Sequence, residues 1–118
     1  MKNQLWTLLE TLGYPVYEQG SLTGTEDYPE HFFTLWNDDT EPLDHYDNEE
    51  SGYVWYFTIN FYSIDPRLTE SVLMKAKDLL IKNGWIVPGK GNDTYSDSKN
   101  HSGRSIEIKF IEIEGGEN

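Results

Sequence analysis

Between Asp38 and Glu50 the chain carries seven carboxylates, Asp38, Asp39, Glu41, Asp44, Asp47, Glu49 and Glu50, and no Lys or Arg. Two chemistries could use such a run, cation binding and acid–base catalysis. Asp47, Glu49, Ser51 and Gly52 fall at EF-hand spacing, yet the twelfth position is Thr58 where a calcium loop needs a bidentate Glu, and two helices do not flank it. That departure removes the principal calcium ligand. Zinc fares no better, because His31, His45 and His101 are scattered and the chain has no cysteine. His45, between Asp44 and Asp47, is best read as an exposed loop histidine. Acid–base catalysis needs two carboxyls with separated pKa values, and a polar run without an apolar wall does not separate them. No thiol nucleophile or Gly-x-Ser-x-Gly elbow is present. Gly84-Trp-Ile-Val-Pro-Gly89-Lys90 matches seven positions of a phosphate-binding loop, but Gly91 replaces the Ser or Thr that would hold magnesium, and the match begins where a helix ends. We therefore assign no catalytic, metal-binding or cofactor-binding residues and expect a protein that is not an enzyme.

The acidic run then reads as a solvated loop over residues 38–51, whose surface either docks a basic partner or repels DNA. The wider charge pattern agrees. Residues 1–65 hold 13 carboxylates and one lysine, and residues 66–118 hold eight carboxylates and eight Lys or Arg, so the net charge of -12 lies entirely in the first half. Phosphate binding requires clustered cations, so sequence-specific nucleic-acid binding is not expected. No apolar run approaches membrane-spanning length, and the N-terminal apolar stretch is too interrupted for a signal peptide. A cytoplasmic setting is expected. The sequons at Asn92 and Asn100 are accordingly taken as chance matches.

The elements that position these residues are legible from their spacing. Leu5, Leu8, Leu9 and Leu12 predict a first helix capped by Asn3 and stopped at Gly13. Tyr14–Tyr17 reads as a brief extended segment that Pro15 restricts to an edge. His31–Asn37 is a dense aromatic strand. The stretch from Gly52 to Glu70 predicts a long strand running into a helix, with Asp65 as N-cap and Pro66 at the first helical position. Leu68, Val72, Ala76, Leu79 and Leu80 form that helix's apolar stripe, and Asn83-Gly84 ends it. Trp85–Pro88 reads as a short strand, residues 89–103 as a flexible loop, Arg104–Glu114 as the last strand, and residues 115–118 as a frayed tail. In the last strand the apolar phase slips between Phe110 and Ile111, which predicts a bulge there or an end buried on both sides.

The resulting order is α-β-β-β-α-β-β, an α+β domain over residues 1–118 with a mostly antiparallel sheet of four or five strands and two helices. Within its central strand Tyr53, Trp55, Phe57, Ile59 and Phe61 share one face, and Val54, Tyr56, Thr58, Asn60 and Tyr62 share the other. The first face suits a core. The second is our candidate interface for a neighbouring subunit or partner, since Tyr buries large area at low entropic cost; cover by the chain's own second layer is an equal alternative.

The ordered set Leu5-Trp-Thr-Leu-Leu-Glu-Thr-Leu-Gly-Tyr-Pro-Val16, Pro29-Glu-His-Phe-Phe-Thr34, Asp47-Asn48, Tyr62-Ser-Ile-Asp-Pro-Arg-Leu68 and Lys82-Asn-Gly-Trp85 resembles a family of small siphophage and prophage structural proteins of Gram-positive bacteria. Members of that family are encoded among the head–tail genes and resemble tail-terminator and tail-to-head joining proteins such as the phage lambda tail terminator. The resemblance covers residues 3–87 and leaves residues 89–103 unmatched. It implies an α+β fold, no enzymatic activity, no cofactor, and a homo-oligomeric ring, usually a hexamer, that meets tail-tube and head-completion proteins in the virion after assembly in the host cytoplasm. On that reading the acidic first half borders a channel where negative charge keeps passing DNA from sticking. The competing reading is a small acidic regulator that binds a basic or DNA-binding host protein.

Overall fold

The structure, a computed structural model, describes residues 1–22, 28–43 and 51–114. Its elements are α1 (Lys2–Glu10), β1 (Val16–Glu18), β2 (His31–Pro42), β3 (Ser51–Ser63), α2 (Pro66–Lys82), β4 (Asn92–Thr94) and β5 (Ser102–Glu114). They build one five-stranded sheet ordered β1-β2-β3-β5-β4, with β1 parallel to β2 and every other neighbouring pair antiparallel. The fold is α+β, mostly antiparallel, with two helices and the α-β-β-β-α-β-β order that the sequence predicts. Among the described residues no helix is long and apolar enough to cross a membrane.

Both helices cover the same face of the sheet. Phe33 and Leu35 of β2, Phe57, Ile59 and Phe61 of β3, and Ile106 and Ile108 of β5 alternate onto that face and are buried against Leu5 and Leu9 of α1 and Val72, Leu73, Ala76 and Leu80 of α2. Aromatic packing closes the layer at both ends. Phe61 lies between Phe33 and Tyr14, at centroid distances of 4.8 and 5.1 Å, while Trp85 packs edge-on to Phe57 at 5.8 Å and against Phe110 at 5.1 Å. Among the described residues no helix lies on the opposite face of the sheet.

The start of α2 follows the predicted chemistry. Asp65 is extended, its carboxylate accepts the Arg67 N–H at 3.0 Å, and Pro66 opens the helix where its missing donor leaves nothing unpaired. The side-chain hydrogen bond from Arg67 and then its backbone N–H hold the Asp65 carboxyl below the usual carboxylate range. A depressed carboxyl contributes stability above its unfolded pKa, and that contribution disappears as pH falls through the folded value. Thermal melts should therefore show Asp65→Asn, which keeps a cap acceptor, losing less stability between neutral and acid pH than wild type. Asp65→Ala should melt below Asp65→Asn at neutral pH; equal melting of the two would mean that the cap does not stabilise α2.

Several local expectations are corrected. Asn3 does not cap α1, which begins at Lys2 with Met1 as N-cap and no side-chain bond. The aromatic strand continues five residues past Asn37, to Pro42, so Asp38, Asp39 and Glu41 stand on a strand and not in a loop. Pairing with β3 explains this, since every residue from Asp39 to Pro42 has a β3 partner. Trp85–Pro88 forms only an isolated bridge, Ile86 to Lys109, and the short fourth strand lies instead at Asn92–Thr94, inside the segment read as a loop. Arg104 secures it, donating to Asp93 Oδ1 at 2.9 Å and to Gly91 O at 3.1 Å. No bulge interrupts β5; the register shift lies in β2 between Asn37 and Asp39. Nor is the end of β5 buried on both sides, because Ile111 and Ile113 are 45% and 56% exposed.

Candidate functional site

The helix-free face of the sheet carries the residues singled out from the sequence, and its two ends differ. Reading across β2, β3 and β5, successive rows place Phe32, Tyr62 and Gly103 together, then Thr34, Asn60 and Ser105, then Trp36, Thr58 and Glu107. Past the bulge come Asp39, Tyr56 and Lys109, then Glu41, Val54 and Ile111. The structure thus brings Val54, Tyr56, Thr58, Asn60 and Tyr62 onto one face, as alternation requires.

The end at Tyr62 is closed by the chain itself. Phe32 packs on Tyr62 at 5.3 Å and is approached edge-on by Tyr17, Tyr28 and His101. The Tyr28 hydroxyl donates to Asp97, and His101 Nε2 bonds Pro29 O at 2.8 Å, tying residues 28–29 to the segment at 95–101. A carbonyl can only accept, so His101 Nε2 donates that bond, and Nδ1 lies 2.8 Å from Ser98 Oγ. Beneath this cover Asn60 Nδ2 donates to Thr34 Oγ1 and Gln19 Oε1, both at 3.1 Å, and Thr34 Oγ1 donates to Gln19 at 2.7 Å. Burial pushes the Tyr62 phenol up. Asn60 and Tyr62 are therefore core residues of a second, small layer made by loops; the cover is internal, although no helix supplies it.

The other end has exposed apolar side chains among the described residues. Trp36 is 49% exposed, and Ile111 and Ile113, 45% and 56% exposed, stand beside Val54 and Gly52, where the Leu43 side chain also lies. The bulge organises this region. Asn37 Nδ2 donates to Tyr56 O at 3.0 Å and to Asp39 O at 3.1 Å, and Asp39 Oδ1 accepts the Thr40 N–H at 2.8 Å. One extra residue in β2 puts both Asp38 and Asp39 on this face. Thr58 Oγ1 donates to Asp38 at 2.6 Å, and the Tyr56 hydroxyl points to Glu41. Partial desolvation, then the Glu41 and Asp39 charges, hold the Tyr56 phenol above its usual range, so it stays a neutral donor at physiological pH. Asp38, Asp39, Glu41 and Glu107 line a shallow depression with Tyr56, and Lys109 is the one cation of these rows.

Of the predicted acidic surface, Asp38, Asp39 and Glu41 are placed here; Asp44, Asp47, Glu49 and Glu50, with His45 and so the first positions of the EF-hand-spaced segment, lie outside the described residues. Thr58, the position of the missing calcium ligand, is in the middle of β3. Gly84–Gly91 leaves the end of α2 and leads to β4 with no helix after it, so the phosphate-loop geometry is not formed. Among the described residues no three His, Asp or Glu side chains are placed to hold a metal ion. Glu107, Trp36 and the Ile111/Ile113 pair escape sequence reading. The phase slip at Phe110–Ile111 is their signal, and it marks an exposed apolar pair.

The sheet edges are unequal. Past β1, the outer edge of β2 carries the bulge, its carboxylates and Pro42, all of which oppose strand addition. The outer edge of β5 is taken by β4 and by the Ile86 bridge as far as Lys109. Lys109 exchanges both backbone bonds with Ile86, so Ile111 and Ile113 also turn N–H and C=O outward, and these have no partner among the described residues.

No family model matches this chain, and no curated protein does. Its architecture is similar to that of a chain from the virion of a native gene transfer agent particle, with a TM-score of 0.56 and 13% sequence identity over 94% of this chain and 92% of that one. The two share a fold across nearly their whole lengths.

Proposed function

We propose that this protein is a non-enzymatic structural component of a phage-like particle, acting at the head–tail junction as a tail terminator or tail-to-head joining protein and assembling there as a ring of several copies, a hexamer in the simplest case. The observation that carries the reading is the architecture held in common with a virion chain over almost the full length of both. The surface supports it. An assembly module must present large areas to neighbours, and here, among the described residues, Trp36, Ile111 and Ile113 are exposed on one sheet face beside the half-buried Tyr56 and Val54. Strongly acidic surroundings suit a position beside a DNA conduit, because like charge keeps the duplex from adhering.

In this reading the protein passes from the host cytoplasm into the virion, and its partners are its own copies, the tail-tube protein and the head-completion protein. The acidic rows at Asp38, Asp39, Glu41 and Glu107 favour a second reading, a small acidic regulator that captures a basic or DNA-binding host protein. Sedimentation and negative-stain images of the purified chain, alone and mixed with tail-tube protein, separate the two. Rings in solution or at tube ends are expected. A strict monomer that leaves tube ends bare but binds a host DNA-binding protein would overturn the structural reading in favour of the regulator.

A further inference from the structure

The ring reading leaves open which surfaces meet, and the distribution of charge on the two layers answers it. In a chain of net charge -12, residues 75–90 hold Lys75, Lys77, Lys82 and Lys90 against the single carboxylate Asp78. Lys75, Asp78 and Lys82 climb one stripe of α2 at three- and four-residue spacing, all exposed, and Lys90 is exposed beyond the helix end. Lys77 is turned aside to donate to Gly89 O at 2.8 Å. Beside the lysines stands an exposed isoleucine, Ile81 at 49%, whereas Ile86, paired with Lys109 between the buried Trp85 and Val87, turns to the other face of the sheet. The outer face of α2 is therefore a basic stripe beside one exposed apolar side chain.

The open sheet face is its opposite in sign. Trp36, Val54, Ile111 and Ile113 form apolar ground, and Asp38, Asp39, Glu41 and Glu107 supply the rim. These two patches lie on opposite layers of the same molecule, so they cannot meet within one copy. We propose that successive copies pack head to tail, the acidic sheet face of one on the lysine-bearing end of α2 of the next.

Charge selects this arrangement over the symmetric ones. Two sheet faces pressed together would oppose four carboxylates to four carboxylates, and two α2 ends would oppose lysines to lysines. Like charges juxtaposed in an interface are strongly unfavourable, while the mixed contact pairs a basic surface with an acidic one. A contact between two different patches leaves one of each free on every pair, so it propagates and closes into a ring when the rotation between copies allows. The inference rests on the ring reading and adds to it the identity of the two surfaces.

Charge reversal tests it. Lys75→Glu with Lys82→Glu reverses the basic rim; Glu41→Lys with Glu107→Lys reverses the acidic one at positions whose side chains have little or no internal bonding. Thermal melts near wild type would confirm folding, as expected for exposed sites. Sedimentation across a concentration series, with tail-tube protein added where the chain alone is monomeric, should show each double variant weakened on the order of a hundredfold. An equimolar mixture of the two, or all four changes in one chain, should restore association. Wild-type association should also weaken with added salt, since charge pairs are screened. Rings that form normally in both double variants would overturn the head-to-tail pairing and leave the ring standing. Weakening without restoration in the mixture would overturn the pairing of these two patches. A wild type that forms no ring in either setting would overturn the ring reading itself, and this inference with it.

Discussion

Phe57→Ala is expected to lower the free energy of unfolding by about 3–5 kcal/mol, close to the limit that a small domain tolerates. Phe57 has no exposed surface and sits in β3, the central strand of the sheet. Its ring stacks on Trp55 at 6.3 Å and receives the edge of Trp85 at 5.8 Å. Collapse around the truncated side chain is hindered on each side. Trp55 is pinned by its indole N–H, which donates to Glu112 at 2.9 Å, and Trp85 is held by Phe110 and by its backbone bond to Leu80 O. The cavity therefore persists, and a persistent cavity adds to the lost transfer energy. Urea denaturation measures the effect, with Ile113→Ala as a control expected within about 0.5 kcal/mol of wild type because that side chain is largely in solvent. A loss under about 1 kcal/mol for Phe57→Ala would mean that the core is not organised around this aromatic row.

The second large effect is expected at Gly91, where Ala should cost about 2–4 kcal/mol through backbone strain and overpacking together. Gly91 has φ +85°, and a Cβ there would stand 2.3 Å from Ser105 O, a backbone atom of β5. Relief requires β4 to move away from β5. That movement breaks the bonds from Arg104 Nη2 to the carbonyls of Lys90 and Gly91. Gly13→Ala separates the two contributions, since its φ of +93° carries the same conformational penalty with nothing within 4 Å of the added carbon. Its cost should be about 1–2 kcal/mol. Equal losses at the two positions would show that β4 is held too loosely to resist displacement.

Much of the fold is legible in the residues because local chemistry and tertiary packing agree. The strand from Tyr53 to Tyr62 alternates cleanly, and Asp65-Pro66 fixes the start of α2 by rules that require no distant partner. Reading fails where pairing overrides composition. Asp38, Asp39 and Glu41 look like loop residues, yet β3 offers backbone partners across that span and the strand continues through the charges. Asn92–Thr94 has no apolar residue, and its strand exists because Arg104 and the Gly91 turn bring it to β5. For the candidate surface, alternation places Tyr56 and Asn60 together, but it cannot distinguish a residue under a loop from one facing water. That difference depends on His101, Tyr28 and Asp97, which approach from remote parts of the chain. The bulge is similarly invisible, since Asn37 becomes its brace only once Tyr56 O is beside it.

Exposed apolar side chains on one sheet face, two patches of opposite charge on opposite layers and a fold held in common with a virion chain all support the proposed role as an assembly module. Quantitative mass spectrometry of purified particles from cells carrying this gene tests that claim most directly. The account predicts that the chain copurifies with the particles at a small fixed copy number, matching one ring per tail. Its absence from washed particles, with the tail and head proteins present, would contradict the account.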